Sequence, residues 1–377
     1  DPVATTRDTA RKGFFRIQHS LHYAYRKMHY EDNLSNPSYY SYISDSALGG
    51  VNYSSRLLDN EFALMRLVRD DRAGRAEAKL YYKWQADLMG SSLDSPVNAF
   101  NLNSHNHSVG GFLTYFGKRD AQVKLSTAYF THGFNQGDAQ MRLDYSTVIL
   151  NGNKFESVVQ WFRQENAYQM QHFVSNFAFW DLPQTKFSQL EIRSRFFSRN
   201  VNWFVDLSWK RFTGYTYLDE SQVPVQDFNP VNMLSLYIHH KAHFGKWHLY
   251  SRVLGQQNNH NQILRLPLIQ IQESLFREGK LGGKTTWRIG VDLTALSKYR
   301  PSAYQPYSGL FYLQNTQTNS SLFQADLYVS AKIRRALAFI KLEHFNSGLG
   351  AHRSIPVPGY PASDLGLKLG LNWLFFD

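Results

Sequence analysis

From Arg75 to Met89, apolar and polar residues alternate almost without a break. Ala76, Ala78, Leu80, Tyr82, Trp84, Ala86 and Leu88 share one parity, and Glu77, Lys79, Tyr81, Lys83, Gln85 and Asp87 share the other. Successive side chains of an extended chain point to opposite faces, so this pattern makes a strand with one greasy side. A helix would mix the two sets. The same period of two recurs over Phe15–Arg26, Ala121–His132, Gln140–Ile149, Val201–Lys210, Trp287–Ala295, Phe323–Lys332 and Asp364–Phe375.

Strand length separates two ways of using such faces. The alternating runs cover about 10 to 14 residues, whereas strands of soluble proteins have about five or six. A tilted strand crossing a bilayer needs roughly 9–11. The apolar parity often ends in Tyr, Trp or Phe, as at membrane interfaces. The other parity carries charges in mid-strand, which suits a wet lumen better than a packed core. These features predict a membrane barrel rather than a soluble sandwich or propeller. Helical spans are excluded: the longest apolar run, Ala336 to Ile340, has five residues, and a membrane helix needs about 20.

Turn signals alternate between short and long. Short turns are predicted near Arg69–Gly74, Gly117–Asp120, Asn151–Asn153, Ser198–Asn200, Gly245, Glu278–Lys284 and Ile333–Arg335. Longer polar loops are predicted near Glu31–Gly50, Gly90–His105, Gly133–Asp138, Glu165–Lys186, Gly214–Asn232, Gln256–Asn261, Lys298–Ser320 and Asn346–Ser363. Together they join about 16 strands (14–18) into an all-β fold, a single transmembrane antiparallel β-barrel over residues 13–377. His172–Trp180 would make a seventeenth strand, but even counts are the bacterial rule, which assigns it to a loop. Residues 1–12 read as a flexible polar tail, and the start at Asp1 leads us to expect a secretory signal already removed.

The chain has no cysteine, which excludes disulfides and thiolate metal sites. Its net charge of +11 is dispersed through alternating strands rather than gathered in a nucleic-acid-binding module. The predicted lumen-facing residues include Arg16, Arg26, Lys79, Lys83, Lys124, Arg142, Lys210, Arg288, Asp292, Lys332 and Lys368. Two readings of this lining stand: a mild anion preference, or a network of salt bridges that holds the wall open. His105, His107 and Ser108 are predicted in a polar loop, with no placed partner for catalysis or metal binding. His239 and His240 point to opposite faces, so they cannot share an ion. No catalytic residue, metal site or cofactor is expected. Tyr39, Tyr40, Tyr42, Tyr304, Tyr307 and Tyr312 fall in loops, where they would form a constriction, meet a partner or pack loop on loop.

Several strings in the last third are family landmarks. They are Leu264-Arg265-Leu266-Pro267, Gly290-Val291-Asp292, Phe311-Tyr312-Leu313-Gln314-Asn315, Ala331-Lys332-Ile333-Arg334-Arg335, Glu343-His344-Phe345-Asn346 and Gly359-Tyr360-Pro361. With the ending Trp373-Leu374-Phe375-Phe376-Asp377, the chain resembles the "putative porin" family of Bacteroidota, most densely over 262–377. The resemblance implies an outer-membrane barrel of a Gram-negative cell. Leu371, Trp373, Phe375 and Phe376 resemble a signal read by the barrel-insertion machinery. The expected function is passive diffusion of small hydrophilic solutes. The alternative is a plugged, non-enzymatic barrel in a larger assembly for secretion, lipoprotein handling or barrel insertion. Expected partners are outer-membrane lipid and lipopolysaccharide, the insertion machinery, and other outer-membrane proteins or lipoproteins; nucleic acid is not expected.

Overall fold

The computed structural model describes residues 14–31, 50–70, 74–93, 99–118, 120–175, 177–283, 285–318, 321–347, 357–360 and 364–373. The predicted tail at 1–12 lies outside them. Sixteen strands form one antiparallel sheet in strict sequence order. They are β1 (Phe14–Glu31), β2 (Gly50–Asp70), β3 (Gly74–Leu93), β4 (Ala99–Phe116), β5 (Gln122–His132), β6 (Ala139–Val148), β7 (Lys154–Gln164) and β8 (Phe187–Phe197). Then follow β9 (Trp203–Thr213), β10 (Val231–Phe244), β11 (Trp247–Asn258), β12 (Ile269–Leu281), β13 (Thr285–Leu296), β14 (Leu322–Ile333), β15 (Ala336–Glu343) and β16 (Gly366–Trp373). No helix among the described residues is long and apolar enough to cross a membrane.

Residues opposite one another in a ladder share a face, so the register carries one parity across the sheet. One face is apolar and bare: Ile17, Leu80 and Leu369 are 82%, 70% and 71% exposed. The other holds most of the charged residues. Polar exceptions on the apolar face include the cross-strand pairs His19 with Asn60 (3.2 Å) and Ser251 with Glu273 (2.5 Å), and Arg56 and Arg66, which lie over the Tyr25 and Phe15 rings. Tight turns join the strands at one end, where the chain reverses through left-handed residues such as Gly245 (φ +62°) and Arg334 (φ +53°). At Gly110 of β4 an added Cβ would meet the Tyr81 hydroxyl and the Thr127 carbonyl, so only glycine lets the three strands approach there.

Two expectations need correction. Strands β1–β4 have 18–21 residues, longer than the alternation predicts, and the predicted loop over 90–105 is largely strand. Pairing of β4 with β5 stops at His107, next to a bulge, so Ala99–Asn106 runs on past β5 at the long-loop end. Asn101, Asn103 and His105 are exposed there. Ser104 and Asn106 on the opposite face are buried and hydrogen-bonded, so both parities are polar here and the period-two signal fades although the strand continues.

The second correction follows from the first. His105, His107 and Ser108 belong to β4, not to a loop. Both histidines face the apolar side, where His105 stacks on Trp84 at 5.8 Å and His107 bonds the Tyr82 hydroxyl at 2.5 Å. Ser108 faces the polar side and is buried. His132, predicted on the polar parity, is turned by the bulge to face His107 (5.7 Å).

His172–Trp180 stays out of the sixteen-stranded sheet, as the even count requires. It follows a helical turn, α1 (Tyr168–Gln171), and forms most of a hairpin of His172–Val174 and Phe179–Asp181. Two other loops merge. Pro224–Asp227, Tyr215–Leu218, Leu310–Tyr312 and Ala303–Gln305 form a separate four-stranded sheet in that order, joined by a parallel bridge between Leu218 and Tyr312.

Candidate functional site

The candidate site has two parts, the polar face and the loops over its long-loop end. Seven of the eleven predicted lining residues stand in ion pairs: Lys79 with Glu61 (2.5 Å), Lys83 with Asp59 (2.6 Å), Arg142 with Asp144 (2.6 Å), Lys210 with Glu191 (3.9 Å), Arg288 with Glu278 (2.7 Å), Asp292 with Lys341 (3.5 Å) and Lys368 with Glu343 (2.8 Å). Arg16, Arg26, Lys124 and Lys332 have no carboxylate within reach among the described residues; Lys124 lies over the Phe112 ring at 4.4 Å. The register places all eleven on the polar face.

Sequence reasoning missed the densest part of this face. On β8 and β9, Arg193 contacts Glu191 (2.9 Å) and Asp206 (3.6 Å), and Arg195 contacts Asp206 (2.6 Å). Its signal was legible, since Gln189, Glu191, Arg193 and Arg195 alternate with Leu190, Ile192 and Ser194. Also missed was Lys341, which bridges Asp292 and Asp326 (2.9 Å). Those two acids lie directly opposite on β13 and β14, where like charges repel, and the ammonium offsets that repulsion.

Over the long-loop end sits a small apolar core. Val51, Phe173, Phe177, Ala178, Trp180, Leu218 and Tyr307 are buried together, with Tyr30 and Leu310 packed against them. The Phe177 ring lies 5.8 Å from Tyr30 and 5.7 Å from Tyr307. Hydrogen bonds tie the same pieces: Val174 N–H to Ser91 Oγ (3.1 Å), Gln169 Nε2 to the Ser308 carbonyl (2.6 Å) and the Tyr307 hydroxyl to Gln222 Oε1 (3.1 Å). Tyr30 and Val51 belong to β1 and β2, on the polar face; the other residues come from loops rooted at β7, β9 and β13. A flat sheet would spread β1 to β13 over about 58 Å. The sheet therefore curls, with its polar face inside. Of the flagged loop tyrosines, Tyr307 is in this core, Tyr304 contacts Phe311 (5.3 Å) and Tyr360 (6.0 Å), and Tyr312 packs at the edge. Tyr39, Tyr40 and Tyr42 lie outside the described residues.

At the loop bases, the Lys186 ammonium lies 2.5 Å from Asp138 and 3.0 Å from Glu165. Burial pulls the Lys186 pKa down, but hydrogen bonds to the two carboxylates outweigh it and hold it above the ordinary lysine value. Burial also pushes the Asp138 carboxyl up against the pull of Lys186.

The family landmarks meet at loop junctions. Arg265 donates to the Gln314 carbonyl (2.5 Å) and to Asn315 Oδ1 (3.2 Å), joining two of the strings. Asn346 accepts from Ala325 N–H (2.8 Å) and donates to the Phe323 carbonyl (2.9 Å), closing the end of β14. Leu371 and Trp373 lie on the apolar face of β16, both exposed; Phe375 and Phe376 lie outside the described residues. Among the described residues no group of three His, Asp or Glu side chains is placed to hold a metal.

No curated protein matches the sequence. Among solved structures, the siderophore receptor PirA from Acinetobacter baumannii is similar with a TM-score of 0.64 at 9% identity, over 95% of this chain and 60% of that one. The copper transporter OprC is similar with a TM-score of 0.62 at 9% identity, over 95% of this chain and 62% of that one. The ferripyoverdine receptor of the Pseudomonas aeruginosa outer membrane follows with a TM-score of 0.56 at 10% identity, over 96% of this chain and 54% of that one. At such identities the likeness shows the fold alone, and the chain spans a little over half the length of these receptors. The sequence profile described as "putative porin" matches residues 7–377, and the chain belongs to that family.

Proposed function

We propose that the sheet closes into a barrel in the outer membrane of a Gram-negative cell and conducts small hydrophilic solutes passively, with no chemistry of its own. The observation that carries this reading is the pairing of a bare apolar face with a curled, ion-paired polar face. Exposed apolar patches beyond a few hundred Å² are rare on soluble monomers, and a bilayer is the solvent that suits this one. Closure of β1 on β16 follows from the same solvent, since an unpaired backbone group in hydrocarbon costs several kcal/mol. Lipid and lipopolysaccharide would then meet the apolar face, and Leu371 and Trp373 would lie in the strand presented to the insertion machinery.

A mild anion preference is the finer part of the proposal. Besides Arg16, Arg26, Lys124 and Lys332, the cations Lys241 and Arg252 lie on the polar face with no carboxylate within 4.0 Å among the described residues, whereas most acids there are paired. Planar-bilayer recordings of the purified protein test both parts. Stable conductance with an anion-selective reversal potential across a salt gradient is expected; cation selectivity refutes the preference, and a silent protein refutes the channel.

The apolar loop core favours a second reading. A lumen covered at one end also suits an accessory barrel working with other outer-membrane proteins or lipoproteins. A non-conducting barrel that co-purifies stoichiometrically with partners in mild detergent would establish that role instead.

A further inference from the structure

Three loops at the long-loop end, those following β9, β11 and β13, line an open cavity of about 950 Å³. That is the size of a small-molecule site, roughly 300–1,000 Å³. Its frame is Arg265, whose side chain is 8% exposed and which donates to the Gln262 carbonyl at 2.7 Å as well as to Gln314 and Asn315. A guanidinium fixed by three acceptors on two loops is a strut. It holds the cavity's shape and has little left to offer a ligand.

The acids of the lining are also committed. Asp219 Oδ1 accepts from the N–H groups of Ser221 (2.9 Å) and Val223 (3.2 Å), turning back into its own hairpin. Glu220 accepts from the Asn315 amide. The cations differ. Arg300 uses Nη1 on Asn315 Oδ1 (2.6 Å), and Lys298 is exposed with no carboxylate within 4.0 Å among the described residues. Two acids, Asp219 and Glu220, face three cations, Arg265, Lys298 and Arg300, so the lining carries a net positive charge. Tyr217, Tyr299 and Gln262 complete the wall with two aromatic rings and an amide.

A guanidinium and an ammonium select a carboxylate or phosphate, while tyrosine rings and an amide select a hydroxylated ring with one flatter, less polar side. We propose that this cavity binds a small acidic saccharide, its anionic group on Arg300 and Lys298. This deepens the channel reading and rests on it, the cavity serving as a capture site at the mouth.

Isothermal titration on the detergent-purified full chain tests it with three probes: a glucuronate-containing disaccharide, maltose and inorganic phosphate. The acidic disaccharide is expected to bind at least tenfold more tightly than maltose or phosphate. The double variant Arg300→Gln/Lys298→Gln should lower that affinity at least tenfold, and Arg252→Gln on the polar face should leave it unchanged. Arg300→Lys, which keeps the charge and loses the fork, should fall between. Equal binding of phosphate overturns the saccharide part. No binding of any probe, or binding indifferent to the double variant, overturns the site. Bilayer conductance on the same sample keeps the two ideas apart: binding without conductance sinks the channel, and conductance without binding sinks the site.

Discussion

Phe177 is a fully buried ring of the loop core, so truncating it should loosen the cover over the long-loop end without dismantling the wall. Its side chain is fully buried between Tyr30 on β1 and Tyr307 from the loop after β13. Phe177→Ala removes both ring contacts and leaves a void, a change that costs about 3–5 kcal/mol in a packed core. Each tenfold change in a population corresponds to about 1.4 kcal/mol. If the covered and uncovered arrangements differ in this core, the population ratio of uncovered to covered should rise by roughly 10²- to 4 × 10³-fold. The sixteen-stranded ladder does not contain Phe177, so the fully open conductance level and the unfolding midpoint in detergent should stay near those of the parent. Single-channel records read the effect directly as open dwell fraction. An unchanged fraction in both Phe177→Ala and Phe177→Ala/Trp180→Ala would show that the core does not gate passage.

Three further outcomes follow from named contacts. Lys341→Met should cost about 1–2 kcal/mol after allowing for solvent screening of a partly exposed pair, because Asp292 and Asp326 are left facing each other; urea unfolding in lipid vesicles measures it, and adding Asp292→Asn should recover most of the loss. Glu273 lies on the apolar face of β12 between Ile271 and Leu275, so Glu273→Leu should stabilise the protein in lipid by about 1 kcal/mol; a destabilised variant would place that carboxylate against something other than lipid. Lys186 is held above the ordinary value of 10.5, so its contribution is complete below that pH and is lost as pH rises through the raised value. Thermal melts of the parent should therefore fall relative to Lys186→Met only above about pH 10.5, and parallel curves through that range would remove the linkage.

The wall was legible in the sequence because a sheet with lipid on one side and water on the other writes its solvent into every second residue. Strand order, the alternation of short and long connections and the parity of residues such as Lys79, Asp292 and Lys368 all follow from that rule. The rule fails where both faces are polar. Asn101 and Asn103 are exposed on one face of β4 and Ser104 and Asn106 are buried and hydrogen-bonded on the other, so the segment reads as loop although its backbone stays paired with β3. The loop core was legible only as a set of displaced tyrosines. Val51, Phe177, Leu218 and Tyr307 come from four separate segments, and no local pattern records that they meet. Pairs such as Arg193 with Asp206 had the right parity, but their contact depends on a register that one strand alone does not specify.

The loop core also has a consequence for how the molecule is made. It joins Val51 near one edge of the sheet to Tyr307 beyond β13, on the order of 250 residues along the chain, and contacts of such separation form late. No early set of hairpins contains enough of it to stand alone. During synthesis and insertion the chain would thus pass through a stage with a growing wall and an uncovered end, and closing that end would report that β13 has taken its place. Cover and completeness are the same event, so a chain halted before Tyr307 should lack the cover that a finished one carries.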